Sequence, residues 1–329
     1  MLIWKKWEGT EEDWDKTQLR FPDYNIYQTF AWGEHRKVFG WQPVRIIAES
    51  GEGIVCTAQV LLRHLPLGIK FAWIPGGPCG DPALWAPSLL ESLRSILGSR
   101  LLYCRINDMR AECLADIQVM DRNWNRPEFL LHTGLSMSYN PSTAESARLE
   151  RTSKNWGRNL RRAQKQGNSV TLWESPNPAE MHRVYREMQD YKSLGEQYSE
   201  AALSSLIKNF GSRCVLVRCT DSSGNLLAFR GALFWGARGW DIFAATTPAG
   251  RKVYASHAVF WELINQCEKL GVKWYDMSGI DPIKGKGVYD FKKGTGADEL
   301  KFLGEWDAAT FPLLRRVANF IVKWRIRGT

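Results

Sequence analysis

Apolar positions along the chain recur at two spacings, about every third or fourth residue and every second, and the switches between them mark out elements. The helical spacing predicts a helix around Gln28–Phe39, followed by strands near Pro43–Glu49, Ile54–Arg63 and Ile69–Ile74, a helix near Ala86–Leu97 and a strand Leu101–Ile106. Turn residues at Ser50–Gly53 and Pro66–Gly68 separate the strands. Further on, helices are expected near Ala179–Lys192 and Glu200–Phe210, then strands near Arg213–Thr220, Leu226–Gly236 and Gly239–Thr246. A helix Tyr254–Leu270, stopped by Gly271, and a strand Val272–Met277 complete the series. Helix, three antiparallel strands, helix, strand thus occurs in both halves, which predicts two similar α/β (α+β) domains in tandem.

A length of 329 residues also favours about two domains, and 44% hydrophobic with 24% charged residues is ordinary for packed domains. The formal net charge of +9 points to an anionic partner: nucleic acid, a phosphorylated substrate or an acidic membrane surface. Lys5 and Lys6, followed by Glu8, Glu11, Glu12 and Asp13, precede any long apolar run, so no secretory leader is expected. No apolar stretch approaches ~18 residues, so a cytoplasmic protein is expected. The seven cysteines form no C-x-x-C pair, and the five histidines lack metal-ligand spacing, so reduced core thiols and no metal are expected. Phosphate-binding, nucleophile-elbow and dinucleotide glycine motifs are absent.

The stretch "VKWYDMSGIDPIKGKGVYDFKKGTG", Val272 to Gly296, combines a strand-like run ending in Asp276, backbone freed at Gly279, Gly285 and Gly287, and the pair Phe291 and Lys292. At the carboxyl end of a strand in an α/β layer this reads as the edge of a pocket. A surface loop with solvated lysines is the competing reading.

The element order resembles the acyltransferase fold of the GNAT superfamily. A coenzyme A user of that fold carries an arginine-rich glycine loop (R-x-x-G-x-G/A), because backbone N–H groups must approach a pyrophosphate. Here the loop reads "TTPAGRKVYASHAVF", with Tyr254 and Ser256 where glycines are expected, so the donor is expected to be something else.

Several stretches together resemble the Fem family of peptidoglycan interpeptide-bridge enzymes, which move an amino acid from aminoacyl-tRNA onto a muropeptide precursor. They are "YQTFAWGEHRKVFGW" at Tyr27–Trp41, "HLPLGIKFAWIPGGPCGD" at His64–Asp81, "SKNWGRNLRRAQKQG" at Ser153–Gly167, and the run from Tyr254 through "GVYDFKKGTGADELKFLGEWD". The resemblance implies two GNAT-like domains: residues 1–147 with 308–329, holding the acceptor, and residues 148–307 on the donor side. It implies that Lys37 contacts phosphates or carboxylates of a lipid-linked or nucleotide-linked precursor, and that Tyr254 lies beside the acceptor. Trp41, Ser256, Asp108 and Gly279 are set at the substrate by the same resemblance. Phe291 and Lys292 match its aromatic-lysine pair, with Lys292 as oxyanion donor or guide of the tRNA 3′ end. Asp276 is the candidate base, or the anchor of the Ser278–Gly279 turn. Lys154, Arg158, Arg161, Arg162 and Lys165, on what reads as the first helix of the second domain, are the candidate tRNA contacts; a solvated face is the alternative. No cofactor is implied beyond aminoacyl-tRNA as donor. The chain departs from the family at "RINDM", where Asn107 precedes Asp108, and lacks an arginine near Gly195–Ser199.

Two other readings stay open. One is an acyl-CoA-dependent N-acyltransferase acting on a cell-envelope sugar or exopolysaccharide; the other is an inactive tRNA- or membrane-binding protein. Finally, "FPLLRRVANFIVKWRIRGT" places Leu313, Leu314, Val317, Phe320, Ile321 and Trp324 on one helical stripe flanked by Arg315, Arg316, Lys323 and Arg327. The stripe is expected to pack on the first domain, leaving cations free for peripheral contact with the anionic inner face of the plasma membrane.

Overall fold

A computed structural model describes residues 2–51, 53–192 and 198–327. Gly195, near which the family resemblance would place an arginine, lies outside them. The chain opens with strand β1 (Ile3–Lys6) and helix α1 (Glu11–Gln18), whose N-terminus is capped by Thr10. The helix expected over Gln28–Phe39 is three pieces: a 3₁₀ turn Ile26–Gln28, helix α2 (Phe30–Arg36) and a 3₁₀ turn Lys37–Phe39. Thr29 causes the first break, because its backbone is extended and its hydroxyl caps the Trp32 amide at 3.3 Å. Strands β2 (Gln42–Ser50), β3 (Gly53–His64) and β4 (Lys70–Pro75) follow close to their expected places. The helix expected over Ala86–Leu97 is α4 (Leu89–Ile96), which starts only after Pro87; a short helix α3 (Pro82–Trp85), capped by Asp81, precedes it and was not expected.

Next come β5 (Leu102–Ala111), α5 (Leu114–Asn123), β6 (Leu135–Tyr139), α6 (Glu145–Arg151) and α7 (Lys154–Lys165). The basic helix α7 is therefore not the first helix after the boundary: α6 precedes it. Ser153 caps α7 by accepting from the Trp156 amide at 3.3 Å. The chain continues with β7 (Ser169–Leu172), α8 (Pro178–Lys192), α9 (Glu200–Phe210), β8 (Cys214–Thr220), β9 (Leu226–Trp235) and β10 (Arg238–Thr246). It closes with α10 (Pro248–Lys252), α11 (Ala255–Lys269), β11 (Trp274–Asp276), α12 (Lys286–Gly294), β12 (Asp298–Ala309) and α13 (Pro312–Arg327).

Two compact units result: Met1–Gly134 with Lys301–Thr329, and Leu135–Leu300. The boundaries expected at 147/148 and 307/308 fall earlier because strand pairing governs them. In the first unit the strand order is β1-β2-β3-β4-β5-β12; in the second it is β7-β8-β9-β10-β11-β6. Each sheet has one parallel pair in the same place, β4 with β5 and β10 with β11, and ends in an antiparallel strand, β12 on β5 and β6 on β11. The tandem α/β organisation read from the sequence is what forms.

The first core gathers Ile46, Ile74, Trp85, Leu93, Ile106 and Trp306; the second gathers Trp156, Val217, Phe260, Leu263, Tyr275 and Met277. Burying each such side chain removes water from apolar surface at about 25 cal/mol per Å². Cys56, Cys104, Cys219 and Cys267 are buried free thiols, as their apolar runs predicted; Cys214, expected in the core with them, is only half-buried at the start of β8. Among the described residues no helix is long and apolar enough to cross a membrane.

The expectation for α13 is corrected. Leu314 turns inward, but Leu313, Val317, Phe320 and Ile321 are exposed, and Arg315 is bonded to Asp307 rather than free. The side chains of Trp324 and Arg327 lie outside the described ones.

Candidate functional site

In the second unit, β10 and β11 pair only over Arg238–Trp240 and Trp274–Asp276. Past that point β11 ends, whereas β10 slips its register against β9 between Asp241 and Phe243 and runs on to Thr246. A bulge of this kind re-aims the strand and breaks its ladder. The sheet therefore forks, and polar groups that a full ladder would have paired become available at the fork.

Ser278 fills part of the opening. Its backbone is left-handed, with φ 65°, a conformation costly for a residue with a side chain. Its hydroxyl donates to the Asp241 carbonyl, and its amide donates to Asp276 Oδ1 at 2.8 Å. The same carboxylate oxygen accepts from the Ser136 hydroxyl. Asp276 thus anchors the turn, as the alternative reading expected, and both of these bonds fall on one of its oxygens. Burial pushes its pKa up to about 6 against the pull of those donors and of Lys292.

Lys292 reaches the fork from α12. Only 6% exposed, its Nζ donates to the carbonyls of Ser278 and Gly279, each at 3.0 Å. Two of three N–H groups are engaged in this way among the described residues. Burial lowers its pKa to about 8 despite the nearby carboxylates of Asp241 and Asp276. Lys293, the next residue, is exposed and paired with Glu299 at 2.9 Å. Gly294 lets α12 lie close, since a Cβ there would stand 2.9 Å from Trp156. The loop expected to carry Phe291 and Lys292 is thus a helix, and its buried face presents both.

Beneath Lys292 lies a buried pair that sequence reasoning did not single out. Arg230 donates through Nε to Asp241 at 3.0 Å and through a second nitrogen to its other oxygen; the Tyr275 hydroxyl donates to Asp241 at 3.2 Å. The guanidinium stands 5.0 Å from the Phe260 ring and 5.5 Å from that of Phe291. Charged residues inside the apolar strands "LLAFRGALFW" and "WDIFAA" were the available signal.

Around the entry to α11, Tyr254 is also left-handed, φ 59°. Its hydroxyl accepts from Arg162 of α7 at 3.1 Å. His257 packs between Trp156, 5.0 Å away, and Phe291, 5.1 Å away, and burial holds its pKa down at about 4. Ser256 shares a 2.5 Å hydroxyl contact with Thr246. Gly250 in α10 admits no side chain: a Cβ would meet the Leu227 carbonyl at 2.2 Å. Tyr254, Ser256, Phe291, Lys292, Asp276 and Gly279 thus belong to one unit.

All five cations Lys154, Arg158, Arg161, Arg162 and Lys165 are exposed on α7, and the first three line a groove of about 570 Å³ at its N-terminus with Ser153 and Asn155.

The remaining candidates belong to the first unit. Lys37 is exposed and paired with Glu34 at 2.5 Å. Trp41 is 8% exposed and packs against Phe71 and Trp73, with the Arg63 guanidinium 4.3 Å from its ring, so it is part of a packed cluster. Asp108 is buried, and Arg110 bonds both it, at 2.8 Å, and Asp23, at 2.9 Å. Burial raises both carboxyl pKa values; burial also opposes the Arg110 charge, but the two acids outweigh it. Asp23 and Arg110 were not foreseen.

A family model described as an acetyltransferase (GNAT) domain matches residues 150–293. No curated protein sequence matches the chain. Among solved structures, FemX is similar with a TM-score of 0.80 at 14% identity, over 92% of this chain and 96% of that one. A tandem GNAT protein from the clavulanic acid biosynthesis pathway is similar with a TM-score of 0.58 at 10% identity, over 95% and 99%. L-PGS from Bacillus licheniformis gives 0.57 at 13% identity, over 94% and 96%. Residues 150–293 are a GNAT domain, and the chain as a whole has the Fem-like tandem GNAT fold.

Proposed function

We propose that the protein is an aminoacyltransferase that moves an amino acid from aminoacyl-tRNA to an amine of a peptidoglycan precursor peptide. The observation that carries this reading is the buried Lys292 ammonium, fixed by two carbonyls at the sheet fork beside Asp276. A third N–H remains for an oxygen that gains negative charge, which is the requirement of acyl transfer. The acceptor nitrogen forms the new C–N bond, and the ester C–O bond to the ribose breaks. The proton lost by the amine passes through Asp276, whose pKa near 6 suits it to hold and release a proton near neutrality, to the ribose oxygen. Arg230 and Tyr275 hold Asp241, and Asp241 in turn receives Ser278, so the turn beneath Lys292 is braced from below.

The donor assignment draws support from Tyr254 and Ser256 at the positions where a pyrophosphate loop needs glycine, and from the α7 cations, of which Arg162 touches Tyr254. Phosphodiester backbones are bound by such exposed cationic faces. Lys37 is assigned to anionic groups of the acceptor, as a point-charge partner.

The test is transfer of a labelled amino acid from a charged tRNA pool to muropeptide precursor, read by mass spectrometry. Transfer abolished by RNase supports the proposal. RNase-insensitive transfer from an acyl-CoA would instead favour an N-acyltransferase acting on an envelope sugar, a reading kept because the matching family model is named for acetyl transfer. Binding of tRNA without transfer would leave an inactive binding protein.

A further inference from the structure

Helix α13 is attached by its polar side. Arg315 donates through Nε to Asp307 at 2.6 Å and through a terminal nitrogen to the Arg126 carbonyl at 2.8 Å. Asn319, fully buried, donates to Asp307 Oδ2 at 2.6 Å, and its own oxygen accepts from the Glu128 amide at 3.2 Å. At 3.6 residues per turn, Leu313, Val317, Phe320 and Ile321 fall on the opposite side. They are 71, 43, 68 and 41% exposed, and Phe311 just before the helix is 51% exposed. Scattered apolar residues on a surface need no explanation, but a stripe on one helix face marks a docking surface.

Charge identifies what covers it. From Phe311 to Thr329 the chain has no acidic residue and five basic ones, Arg315, Arg316, Lys323, Arg325 and Arg327. A second copy docking here by two-fold symmetry would bring two cationic stretches together with no carboxylate on either. We propose that α13 lies in the plane of an anionic lipid surface, its outward apolar face at the headgroup and acyl boundary and Arg316 among the lipid phosphates. An amphipathic helix with cations beside its apolar face has this behaviour, and its binding grows with apolar area and with anionic lipid. The inference stands apart from the transfer reaction and needs neither donor nor acceptor.

The experiment is co-sedimentation of the full chain with phosphatidylcholine vesicles and with vesicles also containing phosphatidylglycerol. Binding is expected on the anionic vesicles at low salt, falling as salt rises, with little on phosphatidylcholine alone. Leu313→Ser with Phe320→Ser, both outward, is expected to weaken binding by about tenfold or more while thermal melting is unchanged. Arg316→Gln should weaken it several-fold. Arg315 is left intact because it holds the helix. Absence of binding at low salt, equal binding to both vesicles, undiminished binding by the double variant, or a dimer that the double variant dissolves would overturn the proposal.

Discussion

Lys292 Nζ sits 3.0 Å from the carbonyl oxygen of Ser278, and Ser278 presents that carbonyl because its backbone is left-handed, φ 65°. Neither residue would hold its position alone: the turn is pinned by Asp276 and Asp241, and the ammonium neutralises the carbonyls that the turn aims at it. A strained residue supporting a buried cation is an arrangement that functional sites retain.

Lys292→Met is expected to lower kcat by ~10²-fold or more with little change in acceptor KM, as for loss of an oxyanion donor. Lys37→Met should do the reverse, raising acceptor KM while leaving kcat and thermal stability nearly unchanged, because its pair with Glu34 is exposed. Steady-state kinetics of both variants decide this, and equal small effects would remove both assignments.

The pH dependence of kcat/KM should be bell-shaped. Asp276 must be ionised to accept a proton and Lys292 charged to donate, so the limbs should fall near pH 6 and pH 8. Lys292→Arg is expected to move the alkaline limb upward and keep the acid one.

Asp276 also links stability to pH. Its folded pKa is raised, to about 6 from 3.8, so folding disfavours its ionised form. The resulting destabilisation is absent below about pH 4, grows between pH 4 and 6, and reaches roughly 3 kcal/mol above that. Asp276→Asn should therefore gain stability over the parent protein as pH rises through this window. Denaturant melts at pH 4 and pH 7.5 measure it; a difference that does not change with pH would show that folding leaves the carboxyl's pKa near its unfolded value.

Replacing Arg158, Arg161 and Lys165 together by Gln should weaken tRNA binding without regard to sequence. The slope of log K against log salt should fall by about 2 to 3, since each lost phosphate contact removes ~0.7–0.9. Filter binding across a salt series gives the slope, and an unchanged one would return α7 to a merely solvated face.

The tandem architecture was legible because both halves repeat the same periodicity and because the hairpin turns carry Gly, Pro and Asp. Gly271 marked a helix end where it occurs. Thr29 broke a helix that periodicity alone ran together, and Pro87 delayed the start of another, since apolar spacing does not register a cap or a missing N–H. Asp276 and Lys292 stood out by their placement near glycines. Arg230 and Asp241 did not, because a buried ion pair looks like two isolated polar residues until the strands pair and bring them together across the sheet. The outward turn of α13 was hidden for a related reason: hydrophobicity shows that a helix has two faces, but Asp307 decided which face was held.

The completing strand of each sheet comes from beyond the segment it completes. β6 precedes the rest of its unit, while β12 reaches β5 only after the whole second unit has been made. On the ribosome, the first unit therefore waits with an open edge at β5 until β12 has emerged behind the whole second unit, whereas the second unit has its β6 strand in hand from the start. Synthesis order and folding order are thereby reversed: the unit whose chain appears first is the one that must finish last.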